Sequence, residues 1–275
     1  MNLQQIAGIL GPENVALVQA VQEKRRECSP DFEKDLRKYQ KLGVPPHILI
    51  GVIIPVYYNA RKAACCFSDE ISVLDKEALF QIAKNVWVDY GLFTGLAFVP
   101  LGNRTLPYVF FFKDKYIYGE LGAITLLGDR GVIHGFDLKL VTQIGTILGY
   151  PECCIKEFST ERNLMKNVEA SISESLTKEK KVDHLAFFAG EFFPCSVHCK
   201  EAINTGEKIV HALKRENLKL EAAYRIVLEG NLEFAKDPKI KYIGVLKEYD
   251  KKIEELFKTS PKSLFEKLKT KIFNT

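Results

Sequence analysis

Four of the chain's seven cysteines fall within 47 residues, as the adjacent Cys153 and Cys154 in GYPECCIKEF and as Cys195 and Cys199 in FFPCSVHCKEA. Thiolate is the form of cysteine that binds metal or attacks an electrophile, so what matters is whether the surroundings favour it. Pro151 suits the first position of a helix, which puts Cys153 and Cys154 in its first turn. Ser196 reads as the N-cap of a later helix, with Cys195 just outside it and Cys199 in its first turn. Both pairs then sit at the positive end of a helix dipole, among backbone N–H groups that have no helical partner. Lys156 and Lys200 add positive charge close by. Four thiolates facing one another repel unless a cation or a cluster neutralises them.

Four cysteines suit either an iron–sulfur cluster or tetrahedral zinc. The Cys195–Cys199 spacing fits zinc, whereas an adjacent pair closes a small ring on a single ion and is easier to place on a cluster. The first expectation is therefore an iron–sulfur cluster on Cys153, Cys154, Cys195 and Cys199, used in redox chemistry or substrate activation. The second is structural zinc, with His198 or His184 completing the site if one of the adjacent cysteines does not bind. The third is a thiol–disulfide redox pair, and plain packing of small apolar side chains is the fourth.

The phrases LGYPECCIKEF and FFPCSVHCKEA resemble an uncharacterised, mainly archaeal family, domain of unknown function 483, over residues 135–204. The resemblance implies that the two cysteine motifs belong together. It singles out Gly149, Tyr150, Pro151, Cys153, Cys154, Phe158, Pro194, Cys195 and Cys199, and it supplies a site without a reaction.

Other residues carry weaker chemistry. His134 stands at an expected strand end just before a helix cap, and His184 precedes an aromatic run and Glu191; these three are the candidates for acid–base work. Cys65 and Cys66 lie on an expected strand and should face opposite sides, one buried and one half-exposed, as packing groups. Cys28 stands alone. Tyr57, Tyr58 and Arg61 could line a pocket. Gly119, Gly122, Gly128 and Gly131 match neither the dinucleotide fingerprint nor the phosphate loop, and no nucleophile elbow or HExxH motif is present.

The elements that must position these groups follow from pattern and punctuation. The first forty residues read as helical, with Ser29-Pro30 opening a helix that stops at Gly43. Residues 48–58 and 63–67 are apolar and rich in β-formers and read as strands. A helix follows from Asp75 to Asp89, then strands over 92–99 and 107–112, the latter pairing with 116–118. Helices are expected from Asp137 to Gly149, from Pro151 onward, and over 196–215, 218–228, 246–257 and 261–272. The polar stretch 171–181 reads as a connection. The fold class expected is α+β, with a mixed or antiparallel sheet in residues 1–135 and a helical region in 136–275.

Composition bounds the function. At 275 residues, 47% hydrophobic and 27% charged, the chain is neither a disordered protein nor a disulfide scaffold. Thirty-nine Lys and Arg against 35 Asp and Glu predict no nucleic-acid binding by themselves. From Phe234 to Thr275, however, eleven lysines face six acids, a basic tail that suggests RNA or an acidic protein surface as a partner. No apolar run approaches the ~20 residues of a membrane span and no leader is recognisable, which assigns the protein to the cytoplasm, where disulfides are rare.

Overall fold

The computed structural model describes residues 31–67, 76–101, 104–117, 138–163, 168–179, 181–190, 192–236 and 242–258. The architecture is α+β, as expected: a small antiparallel sheet in the N-terminal half and helices around and after it. Cys28, His134, Glu191, the Gly119–Gly131 set and the 261–272 helix lie outside the described residues.

Helix α1, Phe32–Lys41, is capped by Asp31, whose carboxylate accepts from the Lys34 amide at 3.2 Å, and ends before Gly43 at φ +81°. Ser29-Pro30 falls outside the described residues, so Asp31 is the cap that can be seen.

The apolar run expected as a strand over 48–58 is instead helical. It forms α2, which starts at Pro46–Ile48, widens into a π-helical stretch at Leu49–Ile53 and closes at Ile54–Tyr57. The reason is burial. Ile48, Leu49, Ile50, Ile53, Ile54 and Val56 are all at most 1% exposed, so no polar face marks a period and β-propensity is overridden by packing. Pro45-Pro46, read as the end of the helical entry, opens this segment, with Pro46 at the first helical position. The wide turn accommodates Pro55, which has no N–H to donate backwards.

Strands β1 (Ala63–Phe67), β2 (Phe93–Leu101) and β3 (Arg104–Phe112) make a sheet in the order β1-β3-β2, antiparallel throughout. Between β1 and β2 runs α3, Lys76–Tyr90, which ends before Gly91 at φ +65°. Of the expected partner strand 116–118, residue 118 lies outside the described residues; β3 already has a partner on each side, and Tyr116 and Ile117 form a helical turn, with the Tyr116 amide on Asp114 Oδ1 at 2.9 Å. Cys65 and Cys66 do face opposite sides, but each is 1% exposed, since the sheet is covered on both faces. Ala64, Cys66, Val109 and Phe111 join the main core, while Ala63, Cys65, Phe110 and Phe112 meet Ile117, Ile147 and Leu148.

The rest is helical: α4 (Leu138–Ile147), α5 (Glu152–Asn163), α6 (Val168–Lys178), a 3-10 turn at His184–Phe187, α7 (Lys200–Glu216), α8 (Leu218–Lys236) and α9 (Tyr242–Lys258). The connection expected at 171–181 is mostly α6, whose Val168, Ile172 and Leu176 form a buried i, i+4, i+8 stripe narrow enough to be hidden among Ser, Glu and Thr. Helix α7 begins four residues later than Ser196 suggests, and α8 runs eight residues past Leu228. The main apolar core extends from Phe32 and Leu36 through α2 and α8 to Ile253 and Phe257.

Candidate metal centre

The four cysteines converge. Their sulfurs all lie within 4.8 Å of one another. The Sγ separations are 3.8 Å for Cys153–Cys154, 3.7 Å for Cys153–Cys199 and 3.6 Å for Cys154–Cys199. Such a group can hold a metal ion. Cys154 and Cys199 are buried, Cys195 is half-buried and Cys153 is exposed.

Local structure explains the meeting. Gly149, at φ +70°, terminates α4, and Pro151 turns the chain directly into α5: its carbonyl accepts from the Cys154 amide at 2.9 Å and the Ile155 amide at 3.0 Å. Cys153 and Cys154 thus occupy the first turn, as expected. The second pair is set differently. Ser196 does not cap α7; its hydroxyl takes the His198 amide and its carbonyl the Cys199 amide, making a tight turn that delivers Cys199 itself to the N-cap position. The Cys195 amide points back to Cys154 Sγ at 3.4 Å. Amide-to-sulfur bonds of this kind stabilise a buried thiolate.

The thiols differ in acidity. Burial pushes Cys154 far above the ordinary thiol range and pushes Cys195 up to about 12. Cys199 moves the other way. Burial opposes its ionisation, but the Ala202 amide at the start of α7 and hydrogen bonds from Cys154, Cys195 and Cys153 outweigh it, although no side-chain hydrogen bond closes the helix end. The surroundings of Cys199 thus favour its thiolate form, whereas those of Cys154 and Cys195 favour the neutral thiol. Lys156 and Lys200 are exposed.

The other candidates fall elsewhere. His184 begins the 3-10 turn and is not among the clustered ligand atoms. His198 is exposed and lies 3.4 Å from Glu179. With both adjacent cysteines in the cluster, neither histidine is needed to complete four ligands. Arg61, buried, spreads over the rings of Tyr150 and Phe188 at 5.9 and 5.7 Å, so it supports the wall behind Pro151 rather than lining an open pocket. Tyr57 and Tyr58 pack edge to face.

Sequence reasoning missed the anchors of the 184–195 segment. From α8, Tyr224 donates to the Phe188 carbonyl at 2.7 Å and Asn231 to the Phe187 carbonyl at 3.0 Å, both in the buried core. Asn231, on the buried face of α8 beside Val227, Leu228 and Ala235, was the available signal. Tyr224→Phe leaves that carbonyl short of a donor and is expected to cost about 1–3 kcal/mol in denaturant unfolding. An unchanged midpoint would show that the bond is replaced. The chain also carries a buried pair far from the centre: His47, through its amide and Nδ1, meets Asp250 at 2.8–3.0 Å.

A family model described as "Protein of unknown function (DUF483)" matches residues 128–225, the stretch that holds all four clustered cysteines and the Tyr224 anchor on Phe188. The resemblance of the paired-cysteine motifs is therefore borne out there. An uncharacterized protein of Methanocaldococcus jannaschii is 41% identical over 99 residues, 34% of this chain and 45% of that protein. An uncharacterized protein of Methanothermobacter thermautotrophicus is 39% identical over 76 residues, 27% of this chain and 39% of that protein. The matched stretch thus spans less than half the length of these curated relatives. No solved structure matches. No helix among the described residues is long and apolar enough to cross a membrane.

Proposed function

We propose that Cys153, Cys154, Cys195 and Cys199 hold one tetrahedral metal ion, zinc, which clamps the first turn of α5 to the start of α7. The observation that carries this reading is the spacing of the sulfurs. Four thiolates bound about 2.3 Å from one zinc ion stand about 3.8 Å apart at tetrahedral angles. The separations of 3.6–3.8 Å among Cys153, Cys154 and Cys199 match that value. A cluster distributes its ligands over several irons and sets some of them farther apart, so the geometry favours the single ion over the iron–sulfur expectation. The objection that neighbouring cysteines crowd one ion loses force, because the first turn of α5 already brings both sulfurs to the same side.

The charge balance supports the same assignment. Four thiolates around a divalent cation leave two negative charges, which the two helix starts and the Cys195 amide are placed to absorb. Metal analysis of protein purified without chelator and without oxygen is expected to give one zinc per chain and no visible absorption. Iron accompanied by acid-labile sulfide would overturn the reading in favour of a cluster, and metal-free protein with a reductant-dependent thiol count would favour disulfide chemistry.

The basic tail supports a partner only outside the described part. Helix α9 carries four lysines against four acids, two of the lysines paired as Lys252–Glu248 and Lys258–Glu254. We therefore keep the metal clamp, and not an RNA contact, as the function the site supports.

A further inference from the structure

Arg61 stands between α2 and β1, in the N-terminal half and outside the stretch that the family model matches. Its backbone is fixed by the end of α2. The chain leaves that helix through Asn59 at φ +56°, and the amides of Ala60 and Arg61 then both donate to the Pro55 carbonyl, at 2.8 and 3.1 Å. The side chain is buried. Its guanidinium carbon lies 5.9 Å from the centre of the Tyr150 ring and 5.7 Å from that of Phe188, and those two ring centres are 5.9 Å apart. Phe192 closes the group, 4.7 Å from Tyr150 and 4.5 Å from Phe188.

These rings belong to the two arms that carry the cysteines. Tyr150 stands three residues before Cys153, and Phe188 and Phe192 stand seven and three residues before Cys195. Arg61 therefore touches both arms at once, from a third segment of the chain. Filling space does not account for an arginine here, because burying a charge costs free energy that an apolar side chain of like size would not incur. A guanidinium stays charged when buried, is planar and weakly hydrated, and can lie against more than one aromatic face. Groups behind the ligands matter to a metal site because ligands already held in place lose less freedom when the ion binds.

We propose that Arg61 is a positioning residue of the metal centre: by holding Tyr150 and Phe188 together it fixes the arm of Cys153 and Cys154 against the arm of Cys195, and so raises zinc affinity. This rests on the zinc reading above. Coupling of this kind is reciprocal, so bound zinc in turn holds the connection between α2 and β1 against the two arms. The centre is then a property of both halves of the chain, and not of the matched stretch alone.

The test uses the full chain, assayed first for zinc and then titrated with a competing chelator under conditions where every variant is folded by circular dichroism. Arg61→Met, of similar length but uncharged, is expected to lower zinc affinity by about tenfold. Arg61→Lys, whose ammonium can lie over one ring, should lose less. Gly51→Ala, whose added Cβ meets Val227, is the control for a core that is merely loosened and should keep its affinity. A lowered urea midpoint with unchanged zinc affinity in Arg61→Met overturns the proposal, since that is what a packing role alone would give. Equal losses in Arg61→Met and Arg61→Lys overturn it too, because the cation would then contribute nothing. If Arg61→Met fails to fold, Arg61→Lys decides: a fall in affinity that Gly51→Ala does not share supports the proposal, and an unchanged affinity overturns it. A starting chain without zinc overturns the metal reading and this proposal with it, whereas a zinc-loaded chain indifferent to Arg61 overturns the proposal alone.

Discussion

Stripping the proposed zinc with a strong chelator is expected to lower the thermal midpoint by on the order of 10 °C. A ligand present at about 1,000 times its dissociation constant contributes about 4.1 kcal/mol to the folded state, and each kcal/mol moves the midpoint of a domain this large by roughly 2–4 °C. The effect should be large here because the sulfurs do not form a good apolar patch on their own. Cys154 and Cys199 are buried in contact with each other and with two more thiols, and without a cation the start of α7 is held by one tight turn at Ser196. Re-adding zinc should restore the midpoint, and Cys199→Ser should neither bind zinc at one per chain nor respond to chelator. A midpoint indifferent to chelator in zinc-loaded protein would mean that the clamp contributes little and that the helices are placed by packing alone.

The second large effect is expected at Gly206, in α7. A Cβ there would stand 2.2 Å from the backbone oxygen of Leu185 and 2.9 Å from its carbonyl carbon. No side-chain rotation relieves a clash with backbone, so Gly206→Ala must push the 3-10 turn His184–Phe187 away from α7. That turn is also tied to α8 through the carbonyls of Phe187 and Phe188, so it cannot follow freely. A loss of about 3 kcal/mol is expected, exceeding the ~1 kcal/mol that alanine gains over glycine in helix propensity. Because the displaced segment leads into Cys195 while α7 starts from Cys199, zinc affinity should fall as well. Gly51 makes the control. Its added Cβ would meet Val227 Cγ1 at 2.8 Å, a side-chain atom, so Gly51→Ala should cost less and leave zinc binding unchanged. Urea unfolding and a zinc competition titration on both variants check the order; equal costs, or intact metal affinity in Gly206→Ala, would contradict the role given to this contact.

What could be read in the sequence, and what could not, follows from where the information sits. The adjacent cysteines were placed in the first turn of α5 because Gly149 and Pro151 are local signals that act through backbone conformation alone. The convergence of the two pairs was legible through the family resemblance, which implies that the two motifs belong together, and through their shared place at helix starts. Cys199 was displaced from the first turn to the N-cap because Ser196, a good cap by type, is used to close the turn before the helix. The 48–58 run was misread because a segment buried all round has no period. Gly206 and Tyr224 were invisible, and Asn231 showed only as a polar residue within its helix, because what they touch, the backbone of residues 185–188, comes near only once α7 and α8 have packed.

The His47–Asp250 pair has a bearing on how the chain is made. It joins residues 203 positions apart, and Ile253 and Phe257 enter the same core as α2. During synthesis the apolar α2 leaves the ribosome well before the helix that covers one side of it, since His47 and Asp250 are 203 positions apart. Until that helix emerges the surface has no cover, which is the condition in which nascent chains aggregate or recruit chaperones. Truncation before Asp250 should therefore yield insoluble protein, because it leaves the growing chain permanently at that uncovered stage.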